Sequence, residues 1–108
     1  MMYLQDDIEA WALAKGIYTY GSFQAQMKVL AEEVIEATEA YCYHKVERTQ
    51  QDRLKLEQEL GDIYVVWVNA CKLAMVDAED CAYKAVKKNS GRHGNMVNGR
   101  FVKDTIDD

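Results

Sequence analysis

The sequence contains no proline, so nothing in it forces a break in a helix interior. Its three cysteines, Cys42, Cys71 and Cys81, form no CxxC pair, and an odd number argues against a disulfide framework. Reduced, helix-packing thiols in a cytoplasmic protein are the simpler expectation. Histidine is scarce too: His44 and His93 stand far apart, which leaves no zinc-type pair. The longest apolar run, "IYVVWVNACKLAM" (63–75), is interrupted by Asn69 and Lys72. It falls short of the ~20 residues that a membrane-spanning helix needs. The opening "MMYLQDDIEAW" is acidic, where a signal peptide would be basic and then apolar. A net charge of −5 lacks the basic footprint of a general nucleic-acid binder. These absences predict a soluble, cytoplasmic protein with neither membrane nor nucleic acid as partner.

What is present is helical. The chain of 108 residues has room for one domain, read as a helical bundle over 1–90 followed by a tail over 91–108. Apolar spacing predicts a first helix from about Leu4 to Lys15, stopped by Gly16. "GIYTYGS" reads as a loop, with Ser22 as N-cap of a second helix reaching about Val46. Phe23, Met27, Leu30, Val34, Ala37 and Tyr41 form the expected buried stripe of that helix. A polar bend, "ERTQQD", leads to a third helix over about Arg53 to Met75. "DAED", with Asp77 and Asp80, resembles a capping box that opens a fourth helix ending near Asn89. In the tail, Asn98-Gly99 between Met96-Val97 and Phe101-Val102 is the short signal for a two-residue hairpin. The expected class is all-α: a four-helix bundle-type protomer with a short C-terminal hairpin-like tail.

The third helix is apolar on nearly every side from Ile63 to Met75, and a 108-residue monomer can scarcely bury a helix all round. The pattern therefore predicts a homo-oligomer with this helix at its centre. The competing reading leaves Tyr64, Trp67 and Val68 as ordinary surface apolars.

Charge is concentrated oddly. "LAEEVIEATEAY" (30–41) places Glu32, Glu33, Glu36 and Glu39 on one helix, where like charges three and four apart repel. At about 100° per residue, Glu33 and Glu36 flank the apolar stripe, Glu39 turns to solvent and Glu32 is intermediate. "ELGDIY" answers them: Glu59 and Asp62 share a sector with Val66, Asn69, Ala70 and Leu73. Gly61 in mid-helix suggests a close approach by a backbone or a ligand. On antiparallel helices Glu33, Glu36, Glu59 and Asp62 would converge. A carboxylate pair ~4 Å apart costs on the order of 4 kcal/mol at an effective dielectric near 20. Protonation or a divalent cation relieves such repulsion. An all-oxygen donor set favours Mg²⁺ or Mn²⁺ over Zn²⁺. At the other end, Lys84, Lys87, Lys88, Arg92, Arg100 and Lys103 follow one another with no acid between Lys84 and Lys103.

"EEVIE" followed by "ELGD" resembles the EExxE…ExxD signature of the MazG-like, all-α nucleoside triphosphate pyrophosphohydrolases. The flanks "WALAKGIYTYGSFQAQMK" and "VNACKLAM" and the closing "KKNSGR…GNMVNGRFVKD" are similar as well, so the likeness spans nearly the whole chain. The resemblance implies Mg²⁺-dependent conversion of a (d)NTP to the (d)NMP and pyrophosphate, serving to clean aberrant nucleotides or adjust pools. It also implies a homodimer or homotetramer with sites near subunit interfaces. Glu33, Glu36, Glu59 and Asp62 match metal ligands, and Glu32 matches a position proposed in some members to activate water. Lys88, Asn89 and Arg92 resemble phosphate-holding positions. Asn69 is placed to meet ribose or base, or to bond only protein, and Trp11, Phe23 and Tyr41 either stack on a base or build the core. The alternative function is a helical interaction module that keeps the acids for assembly or as a relic cation site.

Overall fold

A computed structural model of the chain describes residues 3–43 and 49–104. It is mostly helical: α1 (Leu4–Ala14), α2 (Ile17–Tyr20), α3 (Phe23–Tyr43), α4 (Gln50–Leu73) and α5 (Ala78–Ser90). A two-stranded antiparallel sheet follows, β1 (Gly94–Val97) and β2 (Arg100–Lys103), paired Gly94 to Lys103 and Val97 to Arg100. The chain divides into two compact units, Met1–Ala78 and Glu79–Asp108.

The local signals explain most boundaries. Gly16 stops α1 in the left-handed region at φ 83°, where a side chain would be strained. The chain then makes one more helical turn where a loop was expected. Tyr20 N–H donates to Gly16 O and Gly21 N–H to Ile17 O, which closes α2. Ser22 caps α3 as expected, its Oγ accepting from Ala25 N–H at 3.1 Å. The end expected for that helix, near Val46, lies outside the described residues. The next helix, α4, begins three residues before the expected Arg53. There, Thr49 Oγ1 accepts from Asp52 N–H while the Asp52 carboxylate accepts from Thr49 N–H, both at 3.1 Å. In the tail, Asn98 and Gly99 both take positive φ, 51° and 81°, as the expected two-residue hairpin turn requires.

The far end of α4 closes with a Schellman arrangement: Val76 N–H donates to Cys71 O and Met75 N–H to Lys72 O. Met75 occupies the left-handed position at φ 63° and is 91% exposed, so it carries strain without packing in return. Met75→Gly is expected to stabilise the fold by about 1 kcal/mol. Urea unfolding of the two proteins checks this, and an unchanged or lowered midpoint would contradict it.

Helix α4 is the axis of the first unit, with α1, α2 and α3 packed on it. Ile8, Val68, Cys71 and Ala78 form the buried cluster, joined by the partly buried Val65 and Trp67. Val68 is thus core within one chain, not a surface apolar, while Tyr64 stays 40% exposed. Polar links fasten α1 to the end of α4: Lys72 Nζ lies 3.1 Å from Glu9 Oε1, and Gln5 Nε2 donates to Asp77 Oδ1 at 2.9 Å. The stripe expected on α3 is a different matter. Ala37 is buried and Leu30 half-buried, but Phe23, Met27, Val34 and Tyr41 are exposed in the single chain. A hairpin of two long helices with the shorter α1 and α2 beside α4 has too few elements to cover that face. Of the two approaches expected at Gly61, the one by another backbone is not made within the protomer: among the described residues, nothing beyond its own helix backbone comes within 4 Å of the position a Cβ would take.

In the second unit, Lys84 Nζ pairs with Asp80 Oδ2 at 3.0 Å along α5. Lys87 and Lys88 sit in the last turn, where positive charge complements the helix dipole. Of the three cysteines, Cys42 is exposed, Cys71 buried and Cys81 between. Among the described residues, no helix is long and apolar enough to cross a membrane.

Candidate functional site

Pairing α3 with α4 brings the two acid motifs together. Glu33 on α3 and Glu59 and Asp62 on α4 each offer an oxygen, and these oxygens all lie within 4.8 Å of one another. Spacing of three along α4 puts Glu59 and Asp62 on one side of the helix. Glu33 and Glu59 are half-buried, while Asp62 opens to solvent. Glu33 Oε2 and Glu59 Oε2 are buried and have no hydrogen-bond partner among the described residues. Buried carboxylate oxygens left in this state are costly unless something else meets them. The Glu33 carboxyl is accordingly pushed above its ordinary range, first by burial and then by the negative charges of Glu36, Asp62 and Glu59.

These residues fit a divalent cation on chemistry and on geometry. All the donors are carboxylate oxygens, the set that hard cations prefer. The three oxygens already lie within 4.8 Å of one another on facing helices, so side-chain adjustment alone would let them share one cation. The two orphaned oxygens are the feature that a cation would satisfy.

Of the other acids expected at the site, Glu36 borders the trio. It is exposed, yet its charge acts on Glu33 and its side chain lines a groove with Glu59. That groove, about 410 Å³, is also lined by Glu39, Ala40, Tyr43, Asp52 and Lys55. Glu32 is exposed and stands outside the trio. A second groove of about 300 Å³ lies on the Asp62 side, walled by Ile8, Trp11, Val65 and Asp7. Trp11 is 48% exposed there. The acid cluster therefore sits between a polar groove and a mainly apolar one.

Asn69 lies on α4 beyond Asp62, is almost fully buried, and its Oδ1 accepts from Tyr18 OH at 2.8 Å. Burial and then the charge of Glu9 push the Tyr18 phenol upward, so it stays a neutral donor at physiological pH. Lys88 and Asn89 end α5 in the second unit, and Arg92 N–H donates to Asn89 O at 3.1 Å just beyond it.

Two contributors escaped the sequence reading. Lys55 reaches Glu59 Oε1 at 3.3 Å from one turn earlier on α4, a spacing of four that is visible in the sequence. Tyr18, the partner of Asn69, sits in a segment read as loop, and no local pattern announces a contact across 51 positions.

Neither the curated proteins nor the solved structures show a significant match to the chain. The family described as MazG nucleotide pyrophosphohydrolase domain does match, over residues 21–97. That segment holds α3 and α4 entire, with all three clustered acids, and extends to β1. Covering most of the sequence, the match shows that the chain belongs to the MazG nucleotide pyrophosphohydrolase domain family.

Proposed function

We propose that this protein hydrolyses a nucleoside or deoxynucleoside triphosphate to its monophosphate and pyrophosphate, with Mg²⁺ as cofactor and Mn²⁺ able to replace it. The observation that carries this reading is the pair of buried, unpartnered oxygens on Glu33 and Glu59, closing on Asp62 inside the family segment. Glu33, Glu59 and Asp62 would hold the cation, and Glu36 completes the set from the edge of the groove. When bound, the cation neutralises phosphate charge and makes a coordinated water more acidic. Water attacks the α-phosphorus, a new P–O bond forms there, and the bond to the α–β bridging oxygen breaks to release pyrophosphate.

The chain's own groups supply the rest. Glu32, exposed and next to Glu33 in sequence, is the proposed acceptor of the water's proton. Lys88, Asn89 and Arg92 are assigned to the phosphates, because a dication alone leaves a triphosphate short of positive charge. The apolar groove with Trp11 suits a base, since stacking on an aromatic ring is worth about 1–3 kcal/mol. Asn69, buried and accepting from Tyr18, takes the second of its two expected roles and bonds protein, tying α2 to α4.

A second copy of the chain gives the uncovered face its partner. Phe23, Met27, Val34 and Tyr41 form one stripe of α3, and Leu60 and Tyr64 add exposed apolar surface on α4. A homodimer or homotetramer that buries this surface near the acid cluster is the assembly we propose for a cytoplasmic enzyme that cleans or balances nucleotide pools.

A panel of NTPs and dNTPs assayed for pyrophosphate release with Mg²⁺ and Mn²⁺ tests the activity. Release from at least one nucleotide, lost on adding EDTA, is expected. Background rates with every nucleotide and both metals would overturn the proposal and leave a non-catalytic helical assembly module. Sedimentation equilibrium tests the assembly, and a monomer at micromolar concentration would contradict it.

A further inference from the structure

Among the described residues, Lys55 is the one basic residue lining the polar groove, and it grips the outer oxygen of a proposed cation ligand. Its Nζ lies 3.3 Å from Glu59 Oε1, while Glu59 Oε2 is buried in the acid cluster without a partner. The Lys55 side chain is 67% exposed and that of Glu59 only 14%, so the pair spans the rim between solvent and cluster.

Two explanations are open on physical grounds, and magnitude separates them. As a brace, Lys55 would hold the Glu59 carboxylate in place. An exposed pair one helical turn apart is a weak brace, because ordering a flexible lysine consumes most of its gain. The order is also the less favourable one for a helix, with lysine N-terminal to glutamate. As a charge, Lys55 matters more: a fixed positive group one carboxylate away from a dication changes its binding severalfold even in water-like surroundings.

Resting on the cation site proposed above, we infer that Lys55 is a built-in competitor for that site, which makes cation binding conditional on the nucleotide. In the free protein, its ammonium offsets part of the acid cluster's charge and weakens capture of a bare cation. An arriving triphosphate offers Lys55 a stronger anionic partner in the same groove. Release of Glu59 Oε1 then leaves the carboxylate to the cation that the phosphates bring. Lys55 so favours the cation–nucleotide complex over either component alone, and it guards the empty site against stray divalent ions.

The test is a Mn²⁺ titration of the full chain by electron paramagnetic resonance, with and without a non-hydrolysable nucleoside triphosphate. Lys55→Met keeps helix propensity at an exposed position, so folding is not at stake. Without nucleotide, Lys55→Met is expected to bind Mn²⁺ about three- to tenfold more tightly than the parent chain, and Lys55→Arg within about twofold of it. The enhancement of Mn²⁺ affinity by the triphosphate should shrink in Lys55→Met by a similar factor. Unchanged or weaker Mn²⁺ binding in Lys55→Met overturns the competitor role. Mn²⁺ binding that Glu59→Gln leaves intact instead overturns the cation site itself, so the two failures are told apart.

Discussion

Asp62→Asn is expected to reduce pyrophosphate release by at least about a thousandfold, or ~4 kcal/mol of transition-state stabilisation, while the helical fold persists. The substitution keeps the side chain's shape and removes one negative charge from a trio whose oxygens lie within 4.8 Å of one another. Asp62 is the member exposed to solvent, so an amide there leaves no new buried group unpaired. The loss should therefore fall on cation binding and catalysis and spare stability. Two measurements separate these. Circular dichroism should match the parent chain, and the rise in melting temperature that Mg²⁺ produces by linkage should vanish. Activity within about tenfold of the parent, at saturating Mg²⁺, would mean that Asp62 is not a ligand.

Legibility followed the range of the physics involved. Gly16, Ser22 and Asn98-Gly99 act on their own turn of chain, and each performs in the structure the part its residue type dictates. The acid motifs were legible because two like-charged pairs, each at a spacing of three and each beside an apolar stripe, must meet when their helices pack. The box at Thr49 and Asp52 lies inside the polar run "ERTQQD", whose composition suits a bend as well as a helix start, so α4 begins earlier than expected. The one-turn α2 depends on Tyr18 reaching Asn69 and on Gly16 turning the chain, a combination with no signature in a run of four residues. The exposed stripe on α3 is instructive in another way. Its spacing was read correctly as helical and apolar, but spacing does not tell whether the cover comes from the same chain. Gly61 shows the converse: of a backbone and a ligand, the two approaches its residue type suggests, the protomer supplies no backbone.

Replacing Glu33 should separate the cost of the empty acid cluster from its use. In the folded chain, burial and the charges of Glu36, Asp62 and Glu59 raise the Glu33 carboxyl above its ordinary value of 4.5. The folded state therefore holds this proton more tightly than the unfolded chain does. The resulting stabilisation is complete below the ordinary value and is lost as pH rises through the raised one. Above that, ionised Glu33 works against folding unless a cation answers it. In EDTA, Glu33→Gln should melt close to the parent at acidic pH and progressively above it as pH climbs to neutrality. The difference is on the order of 1 kcal/mol for each acidic neighbour relieved, hence several degrees in total. Saturating Mg²⁺ should reverse the order at neutral pH, because the parent gains linkage energy that the variant has forfeited. Thermal melts of both proteins across the pH range, with EDTA and with Mg²⁺, check both signs. A pH-independent gap would place the strain elsewhere than on Glu33. An Mg²⁺ response preserved in Glu33→Gln would remove that residue from the cation site. The same repulsion that destabilises the bare fold is, on this account, the store of free energy from which the cation draws its affinity.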